Sequence, residues 1–401
     1  MKIKINKSAL AGKIKAPPSK SYAHRLLIGA SLAKGKSKIE GISDSDDMKA
    51  TLSCIKALGV KFQKNGDSVS IIGANFSDNF QKFDCNESGS TLRFFIPIAL
   101  ALGDRAIFVG TERLISRGIS VYEEIFEKQG IKIEKSKAQI NFTGRLKPGT
   151  FYMRGDVSSQ FISGMLFALP MLAGDSKIVI TTELESESYV DITIDALSKF
   201  DVRIERKENT FFIKGNQQFK PVDLMVEGDA SNGAFLEAFN ILGGDVSVLG
   251  INQSTYQGDF VYKKYFDMIN SSCPTIDLSN CPDLGPILFA LAGAKNGARF
   301  VGTKRLKIKE SDRAACMAQE LEKFGICVDV FENEAVVYPS KITEPTEILF
   351  SHNDHRIVMS LVVLSTACGG TINGCEAVNK SYPKFFDDIK SLGASLEEIE
   401  Q

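Results

Sequence analysis

The segment KIKESDR, residues 307–313, places five charged side chains within seven positions. Such runs usually form a solvated surface. A carboxylate between two cations can also transfer protons, and the cations can bind phosphate or carboxylate groups through charge-assisted hydrogen bonds. Glu310, flanked by Lys309 and Arg313, is therefore one candidate for proton transfer, and Asp283 in PDLGPI is a second.

Five further polar clusters stand at equivalent places, each just before a stretch with the apolar spacing of an amphipathic helix. Two of them contribute the candidate cations Arg117 and Lys380. The clusters are SDSDD (43–47), ERLISRG (112–118), ESESYVD (185–191), STYQGD (254–259) and NKSYP (379–383).

Six other segments open with small or polar residues and are apolar on nearly every side, which is typical of helices in a domain interior. The first turn of such a helix exposes N–H groups and the positive end of the helix dipole, and both favour anions. The residues at these six starts include Lys20, Ser21, Arg25, Ser88–Ser90, Arg93, Ser158, Ser159, Gln160, Asp229, Asp283, His355 and Arg356.

Cations collected at these junctions would repel one another unless they bind a ligand with several negative charges. Two phosphates, or a phosphate with carboxylates, would satisfy them. If the repeats pack in one orientation, we expect the junctions of two domains to face each other across a cleft. That cleft would gather Lys20, Arg25, Arg117, Lys309, Arg313, Arg356 and Lys380.

An internal repeat predicts the elements that position these residues. Each amphipathic segment ends in a small or polar residue, followed by alternating apolar positions, and INSSCPTID around residue 272 is a degraded copy. Each repeat predicts a buried helix, a strand, an amphipathic helix and a hairpin, such as the one around Asn65-Gly66. The central residues are Gly59, Gly130, Asp201, Gly325 and Gly393, so the intervals 130−59, 201−130 and 393−325 are 71, 71 and 68 residues.

Six repeats in one chain predict two domains of three repeats each. We expect the break near residues 216–228, just before the fourth buried helix. The N-terminal strand KIKINKS precedes the first buried helix and can pair with the second domain. The predicted domains are therefore residues 19–227, and residues 228–401 together with residues 1–18.

Composition excludes several classes of function. The chain has 401 residues and a formal net charge of −1, which does not favour nucleic acid or anionic membranes as partners. Its eight Cys and three His show neither C-x-x-C pairs nor zinc-ligand spacing. The first residues lack the apolar run of a signal peptide, and no apolar stretch is long enough to span a bilayer. We therefore expect reduced thiols, a cytoplasmic location and no metal.

Some candidate residues also have simpler structural interpretations. Asp46 and Asp47 are expected to be caps or dipole partners of a helix rather than catalytic groups. His24 is expected to be a satisfied helix histidine, and Arg93 can brace the fold. Lys20 is harder to explain in this way, because burial penalises an unpaired lysine.

Ten short motifs, in order along nearly the whole chain, resemble the 5-enolpyruvylshikimate-3-phosphate synthase family. The resemblance implies an α/β (α+β) fold, a two-domain inside-out barrel built from six βαβαββ units, three per domain, with the active site in the interdomain cleft. The motifs are PPSKSYAHR, DSDD, ESGSTLR, GDVSSQF, SYVDIT, EGDASN, PDLGPI, KIKESDR, NDHR and KSYPKFF.

The same resemblance implies an activity: transfer of the enolpyruvyl group of phosphoenolpyruvate to the 5-hydroxyl of shikimate 3-phosphate, with release of phosphate. The reaction proceeds by addition and elimination in aromatic amino-acid biosynthesis. The resemblance implies a monomeric enzyme that needs no cofactor. Asp283 would take the proton from the 5-hydroxyl, and Glu310, with Lys20, would protonate the methylene carbon of phosphoenolpyruvate.

The resemblance also implies two sets of binding residues. For phosphoenolpyruvate they are Lys20, Gly89, Arg117, Gln160, Arg313, Arg356 and Lys380. For shikimate 3-phosphate they are Ser21, Arg25, Ser158, Ser159, Gln160, Ser186, Asp283 and Lys309.

Two alternatives and three departures accompany this interpretation. A related enolpyruvyl transferase acts on UDP-N-acetylglucosamine and typically carries a reactive Cys in the loop matching residues 109–118, where this chain has none. A non-catalytic anion-binding scaffold would be expected to have lost Asp283 or Glu310. The chain departs from many family members at Glu87 and Arg305, where Asn is common, and at Gly118, where Pro is common.

Overall fold

The computed structural model describes residues 1–74, 76 and 82–399. Contacts divide the chain into two compact units, which we call unit A (Lys20–Glu227) and unit B (Met1–Ser19 with Gly228–Gln401). Ser19 groups with unit B, one residue beyond the predicted boundary, and its hydroxyl donates to Gln257 Oε1 at 3.1 Å. That the units are separate domains stays a prediction, and residues 75, 77–81, 400 and 401 of the predicted ranges lie outside the described residues.

Unit A contains three repeats, and each has one helix that is buried on nearly all sides and one that buries a single face. The buried helices are α1 (Lys20–Leu32), α3 (Gly89–Leu102) and α6 (Ser159–Ala168). The others are α2 (Asp46–Ala57), the short α4 (Glu112–Ser116), α5 (Ser120–Lys128) and α7 (Glu187–Lys199), with a 3-10 turn at Leu169–Met171.

Each repeat of unit A contributes a four-stranded sheet with one parallel edge strand and an antiparallel hairpin. The first sheet has the order β14 (Leu224–Met225), β3 (Gly35–Glu40), β5 (Ser68–Gly73) and β4 (Lys61–Asn65). The second has β6 (Phe83–Asp84), β7 (Arg105–Val109), β9 (Gln139–Thr143) and β8 (Lys132–Lys135). The third has β10 (Thr150–Met153), β11 (Ser176–Ile180), β13 (Thr210–Ile213) and β12 (Ile204–Lys207).

Unit B repeats the same alternation of helices. Its buried helices are α8 (Ala230–Ile241), α10 (Gly285–Ala294) and α12 (His355–Cys368). Its amphipathic helices are α9 (Tyr262–Ser271), α11 (Arg313–Glu322) and α13 (Phe385–Ser391). Short 3-10 helices lie before four helices or junctions of unit B in the described chain, at Gly258–Val261, Pro282–Leu284, Lys304–Ile308 and Cys375–Lys380.

The sheets of unit B confirm the prediction for the N-terminal strand. β1 (Lys2–Asn6) lies between two strands of the last repeat and pairs antiparallel with both. Unit B has one sheet with the order β20 (Leu349–Phe350), β21 (Gly370–Asn373), β1 and β22 (Ser395–Ile399), and another with β16 (Thr275–Asp277), β17 (Ala298–Val301), β19 (Glu334–Val337) and β18 (Val328–Val330).

The predicted hairpin of the fourth repeat is wrong. In the described chain this repeat has only a two-stranded sheet, in which β15 (Asp245–Leu249) pairs parallel with β2 (Ala11–Lys15). The degraded copy INSSCPTID ends α9 and then enters β16, which is the parallel edge strand of the next sheet. The chain there has no room for two further strands, because only three residues separate α9 from β16.

The α/β class and the six-repeat pattern are otherwise confirmed. Each unit has its own apolar core, built from the buried helices and the inward faces of its sheets. Burial of this apolar surface is the main driving force for folding. Within the described residues, no helix combines the length and apolarity that a bilayer span requires.

Candidate active site

In unit B, the carboxylate of Asp283 is surrounded by cations. Asp283 lies in the 3-10 turn that leads into α10. Its Oδ1 accepts from Arg313 Nη1 at 2.8 Å and lies 3.2 Å from Lys309 Nζ. Its Oδ2 accepts from Arg356 Nη2 at 2.9 Å. The structure thus brings together four predicted site residues from three different helix starts.

Arg313 is the most deeply buried member of this group, with only 1% of its side chain exposed. It opens α11, where Asp312 is the N-cap and accepts from the Ala315 N–H at 3.2 Å. Its guanidinium also donates to Glu310 Oε2 at 2.6 Å and to Asp354 Oδ2 at 2.9 Å. Burial alone would lower the pKa of Arg313, but the carboxylates around it raise it, so the guanidinium stays charged.

Asp354 is a functional residue that the sequence interpretation missed. It is fully buried and caps α12 by accepting from the Arg356 N–H at 2.9 Å. Its second bond, from the Ser311 hydroxyl at 3.0 Å, ties the KIKESDR segment to the same carboxylate. Although burial raises the pKa of Asp354, Arg313 outweighs it, and the pKa is lowered. An Asp directly before an apolar helix, in NDHR, was the available signal.

The three carboxylates differ in access to solvent. Asp354 has no exposed side-chain surface, whereas 18% of Asp283 and 24% of Glu310 is exposed. Only the two accessible carboxylates can exchange a proton with a bound molecule, and these are the two that the sequence selected. Asp354 therefore holds Arg313 in place.

Two lysines are also among the predicted site residues of unit B. Burial lowers the pKa of Lys309 to about 8, against the attraction of Asp283, and Arg305 and Arg313 also lower it. Lys380 ends the 3-10 helix Cys375–Lys380 and donates to the Asn353 carbonyl at 2.7 Å. Lys307, in contrast, is exposed, as is usual for a residue of a charged run.

In unit A, Lys20 begins α1 and pairs with Asp47, with Nζ 2.8 Å from Oδ2. Asp46 and Asp47 lie in the first turn of α2, which confirms their interpretation as dipole partners. Their expected role as caps is wrong, because Ser45 occupies the N-cap. Lys20 therefore has a partly buried ion-pair partner, and a ligand anion would have to share the lysine with Asp47.

Arg25 is buried in unit A among neutral groups. Its Nε donates to the Thr193 hydroxyl at 2.7 Å, and its two other nitrogens donate to the carbonyls of Ser21 (2.7 Å) and Tyr189 (2.8 Å). Burial lowers the pKa of Arg25 to about 10. Ser186 lies just before α7 with a left-handed backbone, φ +55°, and is buried.

The starts of α3 and α6 meet through polar side chains. A Cβ on Gly89 would lie 3.1 Å from Arg117 Nη1 and 3.2 Å from Arg93 Nη1. Arg93 donates to Gln160 Oε1 at 2.6 Å, and Gln160 donates to the Ser90 hydroxyl at 2.8 Å. Arg117 and Arg93 thus flank the first N–H groups of α3, an arrangement suited to an anion.

The remaining predictions in unit A have definite outcomes in the structure. Ser158 caps α6 by accepting from the Gln160 N–H at 3.4 Å, and Ser159 is the first residue of that helix. Arg93 also lies over the Phe161 ring at 5.0 Å, so its bracing role is present too. His24 Nδ1 contacts the Thr51 hydroxyl at 2.7 Å, and burial lowers the pKa of His24 to about 3, so the ring is neutral. Among the described residues its Nε2 has no hydrogen-bond partner, so the expectation of a satisfied histidine is wrong for one of the two ring nitrogens.

The predicted residues therefore form two groups, one in each unit, and the expectation that they share one cleft stays a prediction. In the described part of the chain, no set of three or more His, Cys, Asp or Glu side chains is arranged to hold a metal ion. The expectation that no metal or cofactor is needed is not tested by this.

A family model described as EPSP synthase (3-phosphoshikimate 1-carboxyvinyltransferase) matches residues 5–389. That range contains all the residues of both groups. The chain belongs to the EPSP synthase family.

Individual relatives agree with this membership. A 3-phosphoshikimate 1-carboxyvinyltransferase of Clostridium kluyveri is 42% identical, over 99% of this chain and 98% of that protein. The solved EPSP synthase of Acinetobacter baumannii has a TM-score of 0.81 at 21% identity, covering 99% of both chains. The enolpyruvyl transferase NikO of Streptomyces tendae has a TM-score of 0.79 at 16% identity, over 99% of this chain and 98% of that one. At these identities the solved structures show the shared fold.

Replacing Asp354 with Asn should lower the free energy of unfolding by about 3 kcal/mol, because it removes the buried partner of a buried guanidinium. The lowered pKa of Asp354 means that its contribution is present above the ordinary aspartate value and is lost as the pH falls. The difference in the free energy of unfolding between Asp354→Asn and the native protein should therefore shrink in acid. Urea unfolding of both proteins between pH 7 and pH 3 measures this difference.

Asp312→Asn is the matched control, because Asn caps a helix as well as Asp does. It should change the free energy of unfolding little. Equal losses in the two variants would contradict the role given to Asp354.

Proposed function

We propose that this chain transfers the enolpyruvyl group of phosphoenolpyruvate to the 5-hydroxyl of shikimate 3-phosphate, giving 5-enolpyruvylshikimate 3-phosphate and phosphate. The observation that carries the proposal is the EPSP synthase match across residues 5–389, together with two accessible carboxylates set among cations inside that range. The product serves aromatic amino-acid biosynthesis.

The proposed ligands account for the charge of the site. Both substrates carry a phosphate and a carboxylate, and Arg and Lys bind such groups through charge-assisted hydrogen bonds. For phosphoenolpyruvate we propose Lys20, Gly89, Arg117, Gln160, Arg313, Arg356 and Lys380. For shikimate 3-phosphate we propose Ser21, Arg25, Ser158, Ser159, Gln160, Ser186, Asp283 and Lys309.

The proposed chemistry is addition followed by elimination. Asp283 takes the proton of the 5-hydroxyl as its oxygen attacks C2 of phosphoenolpyruvate, while Glu310, with Lys20, delivers a proton to the methylene carbon. The tetrahedral intermediate then loses a proton from that carbon and expels phosphate, and the enol ether double bond forms. Fixed cations stabilise the charge that develops on phosphate and carboxylate.

Further parts of the proposal follow from the same family membership. The protein acts as a cytoplasmic monomer without metal or cofactor, and without nucleic acid or membrane as a partner. Residues 19–227 form one domain, and residues 1–18 with 228–401 form the other. The lack of a Cys in residues 109–118 supports shikimate 3-phosphate over UDP-N-acetylglucosamine as the acceptor.

Phosphate release should require phosphoenolpyruvate and shikimate 3-phosphate together. A coupled phosphate assay with each substrate alone, with both, and with UDP-N-acetylglucosamine as the acceptor tests this directly. Release with UDP-N-acetylglucosamine, and none with shikimate 3-phosphate, would overturn the proposed function.

Glu310→Gln should lower turnover by about 10² or more, as loss of a general acid–base does. Glu310 is partly exposed, and Arg313 keeps Asp283 and Asp354 as partners, so this variant should lose less stability than Asp354→Asn and remain folded. Steady-state kinetics at saturating substrates measure the effect. Turnover within a few-fold of native would rule out proton transfer by Glu310.

The efficiency with shikimate 3-phosphate should fall above a pH of about 8. The lowered pKa of Lys309 means that its charged form is present below about 8 and is lost above it, and kcat/KM reports groups of the free enzyme. Lys309→Arg keeps a permanent cation there. We expect the fall in kcat/KM for shikimate 3-phosphate to move to higher pH in this variant. A fall at the native pH in the Arg variant would show that another group titrates.

A further inference from the structure

The turn between β20 and α12 has an unfavourable backbone. His352 and Asn353 both adopt left-handed conformations, with φ of +48° and +55°. Residues other than glycine adopt this region rarely, and two in succession need support from the surrounding structure. The side chains that support this turn therefore influence whatever the turn carries.

What the turn carries is part of the proposed site. Asp354, the next residue, accepts from Arg313 Nε at 2.9 Å. The carbonyl of Asn353 accepts from Lys380 Nζ at 2.7 Å. Two of the cations proposed for phosphoenolpyruvate are thus held by adjacent residues of one turn.

Glu320, on α11, holds the other side of this turn. It has no exposed side-chain surface. Its Oε1 lies 2.8 Å from His352 Nε2, and its Oε2 accepts from the Phe350 N–H at 2.9 Å and from Lys323 Nζ at 2.8 Å. A buried carboxylate is tolerated when it is paired and hydrogen-bonded in this way. One side chain thereby connects α11, the end of β20 and the imidazole of the turn.

The imidazole of His352 is charged at neutral pH. Hydrogen bonds with Cys316 and with Glu320 raise its pKa to about 9, against the effect of burial. In the described part of the chain, the titratable groups that face the ring are Cys316 and Glu320, both on α11. Lys323 donates to Oε2 of Glu320, the carboxylate oxygen that does not contact the ring. Although burial raises the pKa of Glu320, the donors around it lower it, so the carboxylate is ionised.

We propose that Glu320 and His352 are positioning residues for enolpyruvyl transfer, which act by fixing the turn of residues 351–354. Neither residue is among those proposed to touch a substrate. Their ion pair stabilises the left-handed turn. The turn then positions the guanidinium of Arg313 and the ammonium of Lys380, which are proposed to bind phosphoenolpyruvate. The inference rests on the proposed function, because one of its readouts is the affinity for that substrate.

Steady-state kinetics of three variants test the inference. KM for phosphoenolpyruvate is measured with shikimate 3-phosphate saturating, so that Lys309 does not contribute, and KM for shikimate 3-phosphate is measured with phosphoenolpyruvate saturating. Glu320→Gln should raise KM for phosphoenolpyruvate about tenfold, because small misplacements of binding groups are costly. KM for shikimate 3-phosphate should change less. Glu322→Gln, an exposed position on the same helix, is the matched control and should behave as native.

His352→Asn removes the titrating imidazole. Asn tolerates a left-handed backbone and does not titrate, and its amide nitrogen lies nearer the backbone than His Nε2, so the contact with Glu320 is lost as well. In the native protein, KM for phosphoenolpyruvate should rise as the pH passes about 9. That rise should be absent in His352→Asn, and a rise at the same pH in this variant would overturn the inference.

Two measurements do not depend on turnover. The native His352 imidazole, identified by comparison with His352→Asn, should titrate near pH 9 in NMR spectra, and at lower pH in Glu320→Gln, where one of the two groups that raise its pKa has lost its charge. Hydrogen exchange of the amides in residues 349–356 should be faster in Glu320→Gln than in native protein or Glu322→Gln.

The outcomes distinguish the two proposals. A native protein without transferase activity overturns the proposed function, whatever the exchange data show. An active native protein whose Glu320→Gln variant changes neither KM for phosphoenolpyruvate nor exchange of the turn overturns the positioning role. Equal rises of both KM values, with unchanged exchange at the turn, also contradict it.

Discussion

One buried guanidinium organises unit B. Arg313 is almost inaccessible to solvent, and an unpaired charge there would be costly. The chain meets this requirement by bringing carboxylates from three separate segments to the same side chain. Each of these segments precedes or begins a helix. The positions of three helix starts are thus coupled through a single cation.

This coupling explains why the helix starts in unit B combine both signs of charge. Helix N-termini attract anions, and Asp354 satisfies one of them as a cap while it also pairs with Arg313. Unit A solves the same problem differently. Arg25 is surrounded by neutral oxygens, and Lys20 forms an ion pair with Asp47 in the first turn of α2. The repeats share the same order of helices and strands, but the charged side chains at each helix start are paired in a different way.

The backbone plan was the part that could be predicted from the sequence. Apolar periodicity marks a buried helix whatever its tertiary partners, and the strand upstream of each buried helix indicated that β1 pairs with the second domain. The structure adds that it lies in the sheet of the last repeat. The missing hairpin of the fourth repeat could not be predicted, because the degraded copy INSSCPTID ends in a short strand, Thr275–Asp277, at the place where the first strand of a hairpin was expected. Only its pairing shows that this strand belongs to the next sheet.

Side-chain partnerships were predictable only where the residue type restricts them. Lys309, Glu310 and Arg313 were found because their charged segment lies just before a stretch with the apolar spacing of a helix, at the same place in the repeat as five other polar clusters. Asp354, Glu320 and His352 were not, because an Asp at a helix start or a Glu inside a helix is ordinary in sequence. Their role depends on burial and on the fold of a left-handed turn, and both arise from contacts distant in the chain.

The ion pairs around Asp283 have a consequence for a site that works by proton transfer. Three cations hold this carboxylate, since Lys309, Arg313 and Arg356 each place a nitrogen within 3.2 Å of one of its oxygens. On the proposed function, the phosphate and carboxylate of the substrates bring negative charge to the same cations. Arg313, Arg356 and Lys309 would then divide their hydrogen bonds between Asp283 and the ligands. Ligand binding would therefore weaken the contacts of the carboxylate that is proposed to take the proton, so the charges that bind the substrates would also control when the base is free to act.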